Sequence, residues 1–215
     1  TGLAAGYTLH TFTNTGTSAL NLSGLNLNSR LGAVENGVIS GSGGLTFNGP
    51  GTLTLGAANT FTGDTRVGSG TLKLNHSNAL AASTLNMASS DDGTVAFGLT
   101  GNNTYNIGGI TGSKNLAIGG NSLSVGANNS NSTYSGQISG TGSLTKSGTG
   151  TVTLSGANSY SGGTDVTTGT VLISQADGLG SGTYYVKRQG SNSPSIYNYW
   201  SSPMQTFSGV PGARP

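Results

Sequence analysis

The sequence predicts an all-β protein: a parallel β-helix, or solenoid, whose coils hold about 19 residues or more, with little or no α-helix. Three observations support this prediction. Apolar and polar residues alternate in short runs, glycine or asparagine brackets almost every run, and a pentapeptide returns at a fixed spacing inside a longer repeat. Alternation with period two is typical of a strand with one buried face, and glycine and asparagine tolerate the backbone of tight corners.

Short strands account for the alternating runs, which lie at residues 20–28, 51–56, 70–75 and 122–126. No stretch of the chain places apolar residues at helical spacing behind a capping residue. Gly, Ser, Thr and Asn make up 120 of the 215 residues, so few apolar side chains are left to form the core. We therefore expect many short strands and essentially no helix.

Two copies of a longer repeat lie 99 residues apart, at residues 39–80 and 138–179. The copies align without a gap, and about 19 of their 42 positions are identical. Tandem self-similarity of this kind is the sequence signature of solenoid architectures. We assign residues 1–182 to a parallel β-helix that contains both copies.

A finer period of 19 residues lies inside each copy. The pentapeptide that begins at Gly51 returns at Gly70, and the one that begins at Gly150 returns at Gly169. A chain that winds once around a coil arrives above its previous strand, about 4.8 Å higher. GTVAF, which begins at Gly93, is a further return with a longer loop in its coil.

The register of this return predicts which side chains point inward. The predicted core ladder consists of Leu53, Leu55, Leu72, Leu74, Val152, Leu154, Val171 and Ile173, and Val95 and Phe97 continue its first half. Burying each such Leu or Val contributes roughly 1.5–3 kcal/mol. A coil with few apolar residues needs neighbours on both sides, so the stack has to be continuous.

Outward positions are predicted for Thr52, Thr54, Lys73, Thr151 and Thr153.

Two positions break the correspondence between the copies. Phe47 aligns with Lys146, and Leu172 stands where Lys73 stands in the first copy. Isolated apolar residues on a surface are common in soluble proteins. We interpret Phe47 and Leu172 as such surface residues.

The two copies resemble the autotransporter-associated β-strand repeat of bacterial surface proteins. The pattern G-x-G-x-L-x-x-x-G-x-G-x-L/V-T-L-x-G-x-N-x-aromatic-x-G-x-T-x-V-x-x-G-T occurs in both, over about 34 residues each, and residues 131–136 echo part of it. The resemblance implies a right-handed β-helix that serves as an extracellular passenger or stalk and reaches the surface through an outer membrane. It implies no shared catalytic residues.

The segment 183–215 departs from the repeat pattern, because it holds the only Trp and four of the five prolines. We predict that it is a cap over the open end of the solenoid or an element that contacts another subunit, with a binding element and the start of a neighbouring domain as alternatives. The expected contact residues are Tyr184, Tyr185, Tyr197, Tyr199, Trp200 and Phe207. Trp200 in particular is expected to be buried.

Composition and charge exclude several classes of protein. Charged residues are only 7% of the chain and the net charge is +2, which disfavours nucleic-acid binding and attachment to anionic membranes. The absence of Cys excludes disulfides and thiolate chemistry. No apolar run is long enough for a membrane span, so we expect no membrane insertion of this segment.

No catalytic, cofactor-binding or metal site is predicted. Asp91 and Asp92 are adjacent and precede GTVAF, so we expect solvated turn residues rather than a calcium site. His10 and His76 are solitary and are expected to be exposed. A polysaccharide lyase or hydrolase built on a β-helix needs acidic and basic groups that converge on one groove, whereas the charged residues of the two copies do not repeat.

These observations favour an extracellular, non-enzymatic structural or adhesive segment of a bacterial surface protein that forms a rigid stalk or filament. The alternatives are a polysaccharide-binding or polysaccharide-cleaving β-helix and, as a minor one, an ice-binding protein. Expected partners are copies of the chain joined end to end, further modules of the same polypeptide, and surface glycans. Because residue 1 is Thr and no leader precedes it, we expect a processed or excised piece of a longer protein.

Overall fold

A computed structural model describes residues 20–21, 25–27 and 33–186 of the chain, with side chains described for residues 34–183. Within this part the protein is an all-β solenoid of about seven turns, with about 20 residues per coil and no helix. The predicted fold class is therefore confirmed. No helix in the described part is long and apolar enough to cross a membrane.

Short strands follow one another through the described residues, and glycine-rich corners separate them. They are β1 (Leu20–Asn21), β2 (Leu25–Leu27), β3 (Ala33–Glu35), β4 (Ile39–Ser40), β5 (Leu45–Phe47), β6 (Thr52–Leu55), β7 (Thr65–Val67), β8 (Thr71–Leu74), β9 (Leu80–Met87), β10 (Thr94–Phe97), β11 (Thr104–Gly112), β12 (Leu116–Gly119), β13 (Ser122–Val125), β14 (Ser132–Tyr134), β15 (Ile138–Gly140), β16 (Leu144–Lys146), β17 (Thr151–Leu154), β18 (Thr164–Val166), β19 (Thr170–Ile173) and β20 (Tyr184–Val186).

All described strand pairs are parallel, and strands of successive coils pair with one another in stacks. One stack runs β3, β6, β8, β10, and a longer one runs β2, β5, β7, β9, β11, β13, β16, β18, β20. The stack β14, β17, β19 branches from β11, while β1 pairs with β4 and β12 with β15. This topology is that of a chain wound repeatedly around one apolar core.

The first repeat has the register that the 19-residue return predicts. Leu53 lies opposite Leu72 and Leu55 opposite Leu74, and all four side chains are buried. β10 extends this stack by one strand, whose apolar side chains pack against the core while remaining partly exposed. Inward side chains of β6 and β8 therefore form two continuous apolar ladders.

The second repeat has the same register, but the last strand of its stack is more exposed than the corresponding strand of the first repeat. Val152 lies opposite Val171 and Leu154 opposite Ile173. Val152 and Leu154 are buried, whereas Ile173 is 44% exposed, so its predicted place in the buried ladder is wrong. Within the described residues β19 pairs only with β17, and no further strand covers the outer edge of Ile173.

The two repeats lie on different sides of the solenoid, although a continuous core joins them. Leu80 and Leu85 of β9 lie under Ile107 and Ile110 of β11. The first half of β11 then carries β13, β16 and β18, while its end carries β14, β17 and β19. β7 stacks against the second half of β9, but its counterpart 99 residues later, β18, lies above the first half of β11.

Longer central coils cause this displacement. From Leu80 to Ile107 one turn takes 27 residues, against 19 from Leu53 to Leu72. The spacing of 99 residues therefore holds fewer turns than five regular coils would give. The core ladders of the two copies are equivalent in sequence, but they do not continue each other directly as one stack.

The described ladder reaches Val186, beyond the boundary that we predicted at residue 182. β20 pairs with β18 over three residues, so Tyr184 and Tyr185 belong to a strand of the solenoid. Of the other expected contact residues, Tyr197, Tyr199, Trp200 and Phe207 lie outside the described residues, as does His10.

Candidate functional site

The position shared by Phe47 and Lys146 is inside the solenoid in both repeats. Each side chain is 1% exposed, so the expectation that Phe47 is a surface residue is wrong. Both residues end a strand whose first residue, Leu45 or Leu144, is also buried. Strand alternation places the first and third residues on the same face, and that face points inward. Leu172, by contrast, is exposed as expected.

The buried Lys146 is held by backbone carbonyl groups. Its ammonium group donates hydrogen bonds to the carbonyls of Ser147, Gly148 (2.8 Å) and Thr168 (3.4 Å). Burial lowers the pKa of Lys146, because the interior disfavours the charged form. A Cβ atom at Gly169 would lie 2.6 Å from the amine nitrogen, so glycine leaves the room that this amine occupies.

Two buried asparagines join successive coils at equivalent positions of the repeats. The side-chain oxygen of Asn59 accepts the N–H of Ile39 at 2.9 Å, and its NH₂ donates to Ala79 O at 3.0 Å. In the second repeat, Asn158 accepts from Ile138 N at 2.7 Å and donates to Gly178 O. Each amide thereby satisfies backbone groups of the coils below and above it. The sequence signal was the Asn of the repeat pattern, whose role we did not predict.

The aromatic side chains of the corners are buried rather than displayed. Phe61, Tyr105, Tyr134 and Tyr160 are each at most 1% exposed. The Tyr134 hydroxyl donates to Lys114 O at 2.6 Å, and burial raises the pKa of Tyr134. None of these four rings is therefore available as a stacking platform for a sugar.

An ion pair closes the loop between β9 and β10. Arg66 donates from Nε and Nη2 to the two carboxylate oxygens of Asp91, each at 2.7 Å. Asp91 is buried, so our expectation of a solvated turn residue is wrong for Asp91, whereas Asp92 is exposed. The Lys114 amine donates to the backbone carbonyls of Asp91 (2.6 Å) and Gly93. Coils below and above thus fix this loop.

The remaining ionisable candidates form no metal site in the described part, where no three His, Cys, Asp or Glu residues cluster. His76 is half-buried, and its Nδ1 accepts the N–H of Asn78 at 3.0 Å. This hydrogen bond makes His76 part of a local turn.

One carboxylate oxygen of Asp165 is buried without a hydrogen-bond partner.

The concave surface of interest is an open groove of about 430 Å³ at one corner of the solenoid. Its lining comes from three neighbouring segments, and none of the lining residues is charged. Thr60 and Thr62 stand on one side, Ala81 and Ala82 form the middle, and Ala127, Asn128 and Ser130 form the other side. The volume falls in the range typical of small-molecule pockets, roughly 300–1,000 Å³.

Comparison with known proteins confirms the resemblance stated above. The passenger-associated-transport-repeat family matches residues 45–74 and 144–173, which are again 99 residues apart. Over 138 residues, 63% of this chain, the sequence is 36% identical to the adhesin BmaC autotransporter of Brucella suis biovar 1 (strain 1330). The chain spans only 4% of that relative's length. No solved structure matches the chain.

Proposed function

We propose that this chain, which carries two passenger-associated-transport repeats, is a rigid, non-enzymatic segment of a surface-exposed passenger of the adhesin type. The observation that carries the proposal is the uninterrupted parallel ladder from β2 to β20. Every coil in this ladder is hydrogen-bonded to the next, so the segment resists bending and local unfolding. Such a segment holds neighbouring modules at a fixed distance.

The interior supports a structural role. Buried groups are arranged to join coils: Asn59 and Asn158 bridge backbone groups, Lys146 caps carbonyls, and the Arg66–Asp91 pair closes a loop. The ionisable groups that the sequence analysis named either make these structural contacts or lie apart from one another. A hydrolytic site would instead need an acid and a base that converge on one groove.

Partners of the segment follow from its shape. Strand edges at the ends of a solenoid accept another parallel strand, so further modules of the same polypeptide, or copies joined end to end, are the proposed neighbours. A relative that is an autotransporter adhesin supports a place on the bacterial surface. Filament formation is part of the same proposal.

Rigidity is tested with spin labels, because the chain has no Cys of its own. Ser42 and Thr170 are both exposed and lie in the first and second repeats. Labels on Ser42→Cys and Thr170→Cys should give one narrow distance distribution by pulsed electron paramagnetic resonance. A distribution as broad as that of a flexible linker would refute a stalk.

Surface exposure is tested by labelling intact cells that display the parent polypeptide. A membrane-impermeant maleimide should react with Thr170→Cys on intact cells. The matched control, Leu154→Cys, has a fully buried side chain and should react only after unfolding. Labelling of Thr170→Cys only after lysis would contradict the surface location.

A further inference from the structure

We propose that the groove lined by Thr60, Thr62, Ala82, Ala127 and Ser130 binds a neutral saccharide unit, an inference that rests on the proposed adhesin-type function and names a ligand class for it. The groove is open along one side and holds about 430 Å³, which accommodates one or two sugar rings. Its position on the outer corner leaves it accessible along the stalk.

A glycine next to two lining residues brings the backbones of neighbouring coils close together. Gly108 lies between Ala82 and Asn128, since its carbonyl accepts the Asn128 N–H at 3.2 Å. A Cβ at Gly108 would lie 2.7 Å from the backbone carbon of Ala82. Glycine therefore allows the coils to approach closely beside the groove.

A long corner loop forms one wall. Six residues, 126–131, connect β13 to β14, whereas four, 147–150, connect β16 to β17 in the next coil. Side-chain hydrogen bonds hold this loop in place: Asn128 donates to the Thr84 hydroxyl at 3.0 Å, and Asn129 accepts from Thr149 N at 2.9 Å. The wall is thus formed before any ligand arrives, which lowers the entropy cost of binding.

The chemistry of the lining matches a sugar ring. Ala81, Ala82 and Ala127 present methyl groups for the C–H face of a ring. Hydroxyl groups of Thr60, Thr62 and Ser130 make no hydrogen bond within the described residues and can bond sugar hydroxyls. Because no lining residue is charged, an anionic ligand would lose hydration without gaining a counter-charge.

A peptide strand fits this groove less well than a sugar does. The backbone N–H groups of Thr60, Thr62 and Asn128 already donate to the carbonyls of Ile39, Gly41 and Gly108 in neighbouring coils. These three N–H groups are therefore not free to pair with an added strand, which is the usual mode of peptide recognition by sheets. Recognition has to come from side-chain hydroxyls and methyl groups.

The test measures sugar binding to the full chain by saturation-transfer NMR and titration calorimetry. The probes are glucose, galactose, N-acetylglucosamine, maltose, lactose and chitobiose, and at least one should bind with a Kd in the millimolar range. Ala127→Arg, which fills the groove from an exposed position, should weaken that binding about tenfold or more. Ala117→Arg, at an exposed position on β12 outside the groove, should leave it unchanged.

Urea midpoints equal to that of the parent chain establish that both variants are folded. Absence of binding by all six sugars, or equal binding by Ala127→Arg and the parent chain, would overturn the proposal. Binding of acidic sugars or extended peptides alone would overturn it in favour of another ligand class. None of these results affects the spin-label distance, which tests the stalk separately.

Discussion

Lys146 occupies in the second repeat the same buried position that Phe47 occupies in the first, and each side chain is 1% exposed. The strands that carry them, β16 and β5, have the same inward-facing pattern. Equivalent positions of the two repeats therefore hold an aromatic ring in one case and an ammonium group bound to carbonyls in the other. The two solutions differ in charge, so they should differ in their response to pH.

The stability of the parent chain relative to Lys146→Met should rise as the pH increases from neutral toward 10.5. Burial lowers the pKa of Lys146 from its ordinary value of 10.5. The cost of burying the charge is fully present below the folded-state pKa and disappears as the pH rises through the interval up to 10.5. Urea unfolding of both proteins between pH 7 and pH 10.5 measures the difference.

Truncation of the same side chain provides the control. Lys146→Ala leaves a cavity and should cost about 2–4 kcal/mol, whereas Lys73→Ala, on the outward face, should cost less than about 0.5 kcal/mol. A stability difference between Lys146→Met and the parent chain that stays constant with pH would contradict the buried charge.

Asn158→Ala should destabilise the protein by roughly 2–6 kcal/mol, because it leaves the Ile138 N–H and the Gly178 carbonyl buried without partners. Hydrogen exchange at the Ile138 amide should be faster in Asn158→Ala than in the parent chain. The matched control is Asn115→Ala: this exposed amide also accepts a backbone N–H, from Gln137 at 2.9 Å, but water can replace it. The bridging role would be disproved by similar losses in the two variants.

Leu154→Asp should destabilise the protein by more than about 4 kcal/mol, because a fully buried carboxylate has neither water nor a counter-charge. Thr153→Asp, one residue earlier, points outward between Thr133 and Leu172 and should be tolerated. Thermal unfolding midpoints compare the two variants. Equal midpoints would mean that the faces of β17 are assigned the wrong way round.

Ser132→Val should stabilise the protein by about 1–2 kcal/mol. The Ser132 hydroxyl is buried without a hydrogen-bond partner, opposite Val152 in an apolar ladder, and valine replaces the hydroxyl with two methyl groups. Thr133→Val on the outward face is the control and should change the unfolding midpoint little. A lower midpoint for Ser132→Val than for the parent chain would contradict this prediction.

The sequence by itself determined the all-β class, the two repeats and the register within each of them. Pairing Leu53 with Leu72 requires only the 19-residue return, because a regular coil brings a residue above its counterpart. Alternation then places Leu53 and Leu55 inside. Both arguments use only residues within one or two coils, so the sequence alone was sufficient to predict these positions.

The tertiary structure alone decided which side of the solenoid each repeat occupies and what fills its corners. The 27-residue turn from Leu80 to Ile107 displaces the second repeat by one side of the solenoid. An alignment of the two repeats does not reveal this displacement, because it does not show how far the longer coils between them carry the chain around the solenoid. Lys146 is inside because nearby carbonyls replace water around its amine, and Asp91 is buried because Arg66 reaches it from another coil. Which residues of different coils meet depends on the length of every coil between them.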